Sequence, residues 1–414
     1  MQAWTVPPVP RLRPAETRSR LQLFDTASQQ LVDVEPPERT ARMYVCGITP
    51  YDATHVGHAN TYVVFDLLHR LWRDRRVDVT YVQNVTDVDD PLLERAAAIG
   101  VAWQALAEEE TELFRNDMTA LNVLPPQHYV GAIESMPLIT AMIEQLQERG
   151  QIYPVDDPEF PDLYFAQAGD PHFGSLSHLD EAAAIPLFAE RGGDPERAGK
   201  KAPLDCLVWR LSRPGEPSWE SPFGRGRPGW HVECTAIALD LLGTDFDVQG
   251  GGTDLIFPHH EMSAAEGRVA TDERFARVYV HSGMVGLHGE KMSKSRGNLV
   301  LVSELRQSGV DPMAIRLALL DHHYREDWDW TDELLASATE RLDRWREAAR
   351  LDAGMNAGQT IASMRSALDQ NLNTPAALAS VDAWAGASMA IDADDVDAPA
   401  LIAQACNALL GVRL

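Results

Sequence analysis

The chain has 414 residues, 45% of them hydrophobic, which is enough apolar material for two or three cores. No run approaches the roughly 18 apolar residues of a membrane span, and a formal charge of −26 repels nucleic-acid backbones unless basic patches intervene. The four cysteines lack a disulfide-like framework, and residues 1–14 lack the basic start and apolar core of a signal peptide. We therefore expect a multi-domain cytoplasmic protein that binds neither membranes nor nucleic acid.

The first nucleotide-binding element follows a proline-rich arm and an edge hairpin predicted over residues 21–34. A short apolar strand at residues 43–45 leads through a turn into a helix with apolar residues at helical spacing. His55 and His58 therefore stand at a helix start, where free N–H groups suit a triphosphate and Gly57 permits close approach. A lone His-x-Gly-His tetrapeptide also fits capping or surface histidines.

A second strand is predicted over residues 77–85, and the polar residues at its carboxyl end lie where ligands bind in an open α/β sheet. The composition and spacing of residues 94–121 predict one helix. The pattern then changes: a helix over residues 135–149 is followed by short strands and turns up to residue 203. This segment predicts an insertion between the two halves of a nucleotide-binding domain.

In the second half of the nucleotide-binding domain, the sequence predicts a helix from Trp230. It also predicts a strand at residues 246–248 that leads into three glycines, residues 250–252. These glycines permit close backbone approach to a ligand. Asp254 can accept hydrogen bonds from ribose hydroxyls, although a flexible turn with an exposed acid is the alternative.

A lysine-rich loop follows at residues 291–295, with Lys291 and Lys294 beside two hydroxyls. These residues predict a mobile loop that binds anions, and the alternative is a solvated turn without a role in binding. Helices dominate the remainder. We divide the chain into four parts. Residues 1–125 form an arm and the first nucleotide-binding half, and residues 126–203 form an inserted connective subdomain. Residues 204–305 form the second half with the lysine loop, and residues 306–414 form a helical domain.

The two signatures, residues 55–58 and 291–295, together resemble those of class I aminoacyl-tRNA synthetases. Residues 44–47, 84–90 and 226–234 resemble cysteinyl-tRNA synthetases in particular, as do residues 257–261. The resemblance implies an α/β fold: a class I synthetase-type, Rossmann-like catalytic domain with an inserted subdomain and a C-terminal helical domain.

A metal site is suggested by Cys46 at a strand end, Cys234 one turn inside a helix, and His259 after the glycines. Three borderline-soft ligands in one cleft suit Zn²⁺ with an open fourth position, whereas buried inert thiols are the alternative. In the resembled family these three positions bind zinc together with a glutamate. The matching residue here is Ser263, which leaves three ligands for the substrate thiolate to complete.

A second departure lies at the C-terminus, where residues 340–414 carry six basic and ten acidic side chains, the opposite of an RNA-binding tail. Both departures fit a related ligase family of mycothiol biosynthesis, which the chain resembles along nearly its whole length. That resemblance implies ligation of L-cysteine to the amine of glucosaminyl-inositol through cysteinyl-AMP, by a monomer with one Zn²⁺ per chain and Mg²⁺ accompanying ATP. A truncated cysteinyl-tRNA synthetase is the alternative, and intact signatures disfavour a catalytically silent paralogue.

The resemblance also assigns roles residue by residue. His55 and His58 stabilise charge on the α-phosphate, Lys291 and Lys294 stabilise the departing pyrophosphate, and Gly57 and Lys294 bind ATP. The positions that match the cysteine and adenylate pocket are Cys46, Gly47, Ile48, Thr49, Thr61, Asn84, Val85, Thr86, Trp230, Gly252, Thr253, Asp254 and Val285. The sequence identifies neither a base for amide formation nor the sugar-inositol pocket.

Overall fold

The computed structural model describes residues 1–15, 18–36, 38–292 and 297–414. Lys294 lies outside the described residues, as does the side chain of Lys291. Within the described ranges, no helix has both the length and the apolar character required to cross a bilayer.

The strands are β1 (Gln22–Asp25), β2 (Gln30–Asp33), β3 (Thr40–Ile48), β4 (Asp78–Val85), β5 (His128–Gly131), β6 (Ile152–Pro154), β7 (Leu163–Phe165), β8 (Cys206–Leu211), β9 (Gly226–Pro228), β10 (Phe246–Gly252), β11 (Ala276–Ser282), β12 (Val285–Leu287), β13 (Glu290–Lys291) and β14 (Trp328–Asp329). The helices are α1 (Val56–Asp74), α2 (Asp90–Ile99), α3 (Trp103–Ala120), α4 (Met136–Glu148), α5 (Glu181–Glu190), α6 (Trp230–Leu242), α7 (Glu261–Thr271), α8 (Val302–Gln307), α9 (Pro312–Leu320), α10 (Asp332–Ala348), α11 (Ala357–Asp369), α12 (Thr374–Ala390) and α13 (Ala398–Ala405). Shorter helical turns lie at Gln167–Gly169, Thr253–Leu255, Ile256–His260 and Cys406–Leu410.

A parallel sheet of five strands, in the order β11-β10-β3-β4-β5, forms the centre of the molecule. The chain runs from β3 outward to β4 and β5, then returns to the other side of β3 with β10 and β11. The strand order therefore reverses between β3 and β10, and ligands of open α/β sheets bind at the carboxyl ends of strands at such a point. This sheet confirms the predicted α/β class.

The inserted segment contains a separate antiparallel sheet, in the order β6-β7-β8-β9. This pairing differs from the predicted boundaries, because β8 and β9 lie after residue 203 and yet belong to the insertion's sheet. At the other end, β5 lies after residue 126 and pairs with β4 in the central sheet. We therefore propose that the insertion spans residues 132–228.

Two other elements differ from their predictions. The single helix predicted over residues 94–121 is two helices, α2 and α3, since Gly100 ends α2 in the left-handed conformation with φ 73°. The predicted 246–248 strand continues through the three glycines as β10. A Cβ on Gly250 would lie 2.3 Å from the Phe65 ring, so this glycine makes room for the packing of α1 against the sheet rather than for a ligand.

The C-terminal helices share one hydrophobic core with the nucleotide-binding half, as Leu67 of α1 and Leu317 of α9 belong to the same buried cluster. Helix α8 crosses the predicted boundary at residue 305, so the helical region begins earlier than expected. At the contact between α1 and α9, Asp66 forms ion pairs with Arg70 and Arg316, and all three side chains are fully buried. The predicted edge hairpin is confirmed as β1 and β2.

Candidate active site

A cleft of about 400 Å³ opens at the carboxyl ends of β3 and β10, where the strand order reverses. Most of the residues assigned from the resemblance line it, namely Cys46, Gly47, Ile48, Thr49, His55, Gly57, His58, Thr61, Trp230, Gly252, Asp254 and Val285. Asn84 and Val85 end the neighbouring strand β4, Thr86 follows them, and Thr253 begins the helical turn beside Gly252. Residues from both nucleotide-binding halves thus meet in one cleft.

The start of α1 forms one wall of this cleft. His55 is the N-cap of the helix, and its Nδ1 accepts a hydrogen bond of 3.1 Å from the Gly57 N–H. Because Nδ1 accepts, the neutral ring carries its proton on Nε2 and is a donor there. The His58 ring stacks on His55 with 3.9 Å between the ring centroids. His55 is therefore both a capping residue and a donor at the positive end of a helix.

The floor of the cleft is a close contact between β3 and β4. The Gly47 N–H donates to Asn84 Oδ1 at 2.8 Å, and Asn84 Nδ2 donates to Thr86 Oγ1 at 3.2 Å. A Cβ on Gly47 would lie 1.6 Å from the Asn84 carbonyl oxygen, so only glycine fits here. On the other side, Thr61 of α1 shares a 2.8 Å hydrogen bond with Ser282 of β11.

Three side chains that can bind a metal converge beside the cleft, and one of them, Cys46, lines it. One ligand atom each from Cys46, Cys234 and His259 lie within 4.8 Å of one another, and all three residues are buried. They reach this point from different elements: Cys46 from β3, Cys234 from the second turn of α6, and His259 from the turn before α7. The structure therefore brings together all three residues that the sequence suggested as zinc ligands.

The surroundings of His259 fit a metal ligand. Its Nδ1 lies 3.0 Å from His231 Nδ1, and Trp230 stacks on the ring with 4.4 Å between centroids. Its Nε2 is buried and has no hydrogen-bond partner among the described residues. A buried polar atom without a partner is unfavourable, and a metal ion would satisfy it. Two thiolates and an imidazole are ligands that Zn²⁺ favours.

Ser263, which stands where the resembled family has a fourth ligand, does not belong to this cluster. Its hydroxyl donates to the His231 carbonyl oxygen at 3.4 Å, one turn along α7 from the ligands. The part of the chain that the structure describes therefore offers three ligands at this point, which leaves room in a tetrahedral site for one exogenous ligand.

The two ligand thiols differ in their acidity. The pKa of Cys234 is lowered well below its usual value, chiefly because the Cys46 thiol donates a hydrogen bond to it and because His259 lies close by. Burial raises the pKa of Cys46. The negative charge is therefore favoured on Cys234 over Cys46.

Comparison with known proteins places the chain in a family. Residues 33–340 match the family described as tRNA synthetases class I (C) catalytic domain. The L-cysteine:1D-myo-inositol 2-amino-2-deoxy-alpha-D-glucopyranoside ligase of Kribbella flavida is 61% identical over 416 residues, covering 100% of both chains. The proteins of that name from Thermomonospora curvata and Nocardia farcinica are each 58% identical, again over 100% of both chains. The chain belongs to this ligase family.

Solved structures confirm the fold of this ligase family member. Mycobacterium tuberculosis methionyl-tRNA synthetase in complex with methionyl-adenylate superposes with a TM-score of 0.63 at 18% identity, over 89% of each chain. A LeuRS from Agrobacterium radiobacter K84 superposes with a TM-score of 0.59 at 14% identity, over 91% of this chain and 83% of that one. The predicted class I synthetase-type architecture is thereby confirmed. The family match over residues 33–340 implies small-molecule substrates such as ATP and an amino acid.

Several cleft residues of this ligase were not predicted. Tyr51 and Asp52 line the cleft, as does Met284. Ala53 and Thr54 separate the first two from the His-x-Gly-His segment, so their position in the turn before that segment was the available signal. Burial raises the pKa of Tyr51, and the carboxylates of Asp52, Asp89 and Asp254 add to the effect. Tyr51 therefore lies near three carboxylates, and two of these residues, Asp52 and Asp254, line the cleft with it.

Proposed function

We propose that this protein uses ATP to join L-cysteine to the amine of glucosaminyl-inositol in mycothiol biosynthesis. The main support is one observation: Cys46, whose ligand atom lies within 4.8 Å of those of Cys234 and His259, lines the same cleft as His55 and His58 at the start of α1. A thiol-binding site and a nucleotide-binding site thus share one cavity. The names of full-length relatives at 56–61% identity supply the acceptor.

In the first step, a carboxylate oxygen of cysteine attacks the α-phosphorus of ATP, and pyrophosphate leaves with the electrons of the broken P–O bond. Nε2 of His55 and the imidazole of His58 donate toward the α-phosphate as negative charge develops. Lys291 and Lys294 neutralise the departing pyrophosphate. Positioning and fixed charge dominate phosphoryl chemistry of this kind, and we expect Mg²⁺ to accompany ATP.

Selection of cysteine follows from the three-ligand site. Cys46, Cys234 and His259 would hold one zinc ion, which when bound supplies a Lewis-acid position that prefers a thiolate to a neutral hydroxyl. Trp230 closes the site against His259 by stacking. Serine lacks a thiolate, so the protein rejects it at this position.

In the second step, the free amine of the sugar attacks the acyl carbon of cysteinyl-AMP, AMP leaves with the electrons of the C–O bond, and the new amide nitrogen loses one proton. The carboxyl groups of Asp52 and Asp254, which line the cleft, suit a cationic amino sugar that approaches before deprotonation. The formal charge of −26 on the whole chain disfavours an RNA acceptor, whose binding depends on basic contacts to phosphates.

The decisive experiment supplies ATP and radiolabelled cysteine with either glucosaminyl-inositol or tRNA. We expect a labelled, base-stable amide on the sugar amine and no labelled tRNA. Labelled tRNA at a comparable rate would instead establish a truncated cysteinyl-tRNA synthetase, and absence of ATP turnover with any acceptor would establish a silent paralogue.

We further propose a cytoplasmic monomer. All four cysteines are free and buried, which suits a reducing compartment. Sedimentation analysis tests the monomer directly.

A further inference from the structure

A continuous chain of hydrogen bonds runs from the N-terminal hairpin to the metal ligand Cys46. Thr26 Oγ1 lies 2.7 Å from His281 Nδ1, His281 Nε2 lies 2.8 Å from His260 Nδ1, and His260 Nε2 lies 3.2 Å from Cys46 Sγ. All four side chains are buried, with exposed fractions of 8%, 5%, 0% and 5% along the chain from Thr26. Each imidazole uses both of its nitrogens.

The two rings are held in place at both ends. The backbone N–H of Thr26, at the end of β1, donates to the Tyr279 carbonyl of β11 at 2.9 Å. Asp25 accepts from the Tyr279 N–H at 2.8 Å, so the hairpin is fixed to the strand that carries His281. The Thr26 hydroxyl is therefore anchored by rigid backbone rather than carried on a mobile loop.

The chemistry at the sulfur determines the direction of every bond. A buried neutral imidazole has one N–H, so its two bonds must point the same way along the chain. A thiolate can only accept. Once Cys46 binds a metal as thiolate, His260 must donate to its sulfur, His281 must donate to His260, and Thr26 must donate to His281. The bonds then polarise one another in the same sense.

We propose that Thr26, His281 and His260 form a positioning chain that orients the Cys46 sulfur for metal binding. The Thr26 hydroxyl can donate to His281 Nδ1, so it completes the chain in the direction that the sulfur requires. Gln249 Nε2, 3.6 Å from the same sulfur, supplies a second donor from β10. The inference rests on the metal site proposed above and is independent of the acceptor that the enzyme uses.

The test compares Thr26→Val, which keeps the shape and removes the hydroxyl, with Thr26→Ser, which keeps the hydroxyl. Zinc affinity of each purified holoenzyme is measured by competition with a chromogenic chelator, and Co²⁺-substituted protein reports the ligand field by its visible absorption. Loss of outer partners of metal ligands typically weakens binding about 10–100-fold. Since Thr26 is the member most remote from the metal, we expect Thr26→Val to weaken zinc binding by about 10-fold, the lower end of that range. Thr26→Ser should bind zinc as tightly as wild type. Of these two variants, only Thr26→Val should show a shifted Co²⁺ spectrum.

A variant at a second residue keeps the proposal testable if Thr26→Val fails to fold. His281→Phe keeps the ring volume and removes both nitrogens, so it should weaken zinc binding at least as much as Thr26→Val. Equal zinc affinity and equal Co²⁺ spectra in wild type, Thr26→Val and His281→Phe would overturn the positioning chain while leaving the metal site intact. Wild-type protein without zinc affinity would instead remove the metal site itself, and cysteine-dependent pyrophosphate exchange then shows whether the proposed reaction survives.

Discussion

Replacing Gly47 by alanine tests how tightly the floor of the cleft is built. The added Cβ would lie 1.6 Å from the Asn84 carbonyl oxygen, whereas real Cβ atoms essentially never approach within 3.0 Å. The oxygen must therefore retreat by about 1.4 Å, the difference between these two distances. It is backbone in the middle of a parallel sheet, so no rotamer change relieves the clash.

The displacement acts directly on the proposed adenylate pocket. The Asn84 side chain accepts from the Gly47 N–H and donates to Thr86, so all three groups move together. Misplacement of a reacting group by about 1 Å can cost about 100-fold in rate. We expect kcat/KM for cysteine-dependent pyrophosphate exchange with ATP to fall by at least that factor, which corresponds to about 2.7 kcal/mol.

The control is the same substitution in α12. A Cβ on Gly386 would meet no atom within 4 Å, and this exposed helical position should gain up to about 1 kcal/mol of stability from alanine. Gly386→Ala should therefore keep wild-type exchange and melt at an equal or higher temperature. A folded Gly47→Ala enzyme with the wild-type exchange rate would refute the assignment of this contact to the reacting pocket.

Three further predictions concern other parts of the molecule. Cys234→Ser should abolish both zinc content, measured by elemental analysis, and cysteine activation, and full activity of a metal-free wild type would contradict this. Lys294→Ala should lower pyrophosphate exchange by orders of magnitude with zinc content unchanged, and unaltered exchange would remove the lysine loop from the reaction. Asp66→Ala leaves two buried arginines unpaired, which typically costs about 3–5 kcal/mol. Urea unfolding should show that loss, whereas Glu112→Ala at a surface ion pair should change the midpoint little.

Much of the nucleotide-binding region was predictable because its functional residues lie within short sequence motifs. The strand, turn and helix around His55 follow from periodicity and glycine placement, and the structure has them as β3 and α1. Cys46, Cys234 and His259 were suggested by residue type and by resemblance, and the structure brings their ligand atoms together. Separate elements that end at the same edge of one sheet explain why distant residues meet.

Other features depend on pairings that a single sequence does not reveal. The strand at residues 206–211 was assigned to the second nucleotide-binding half, and only its partner β7 shows that it belongs to the insertion. The three glycines of β10 were all interpreted as a ligand turn, but Gly250 accommodates the Phe65 ring of helix α1, while Gly252 does line the cleft. The Thr26 chain joins residues up to 255 positions apart, beyond any local pattern.

The buried contact between Asp66 and Arg316 has a practical consequence for handling this protein. Arg316 also donates to the carbonyl oxygens of Leu121 and Leu410, at 2.8 Å and 2.6 Å. Through Arg316, the backbone at Leu410 near the end of the chain is thus hydrogen-bonded to the contact between helices α1 and α9. The last helices are therefore not a detachable module: a protease should fail to release them as an intact fragment, and deletion from residue 400 onward should prevent the catalytic half from folding alone.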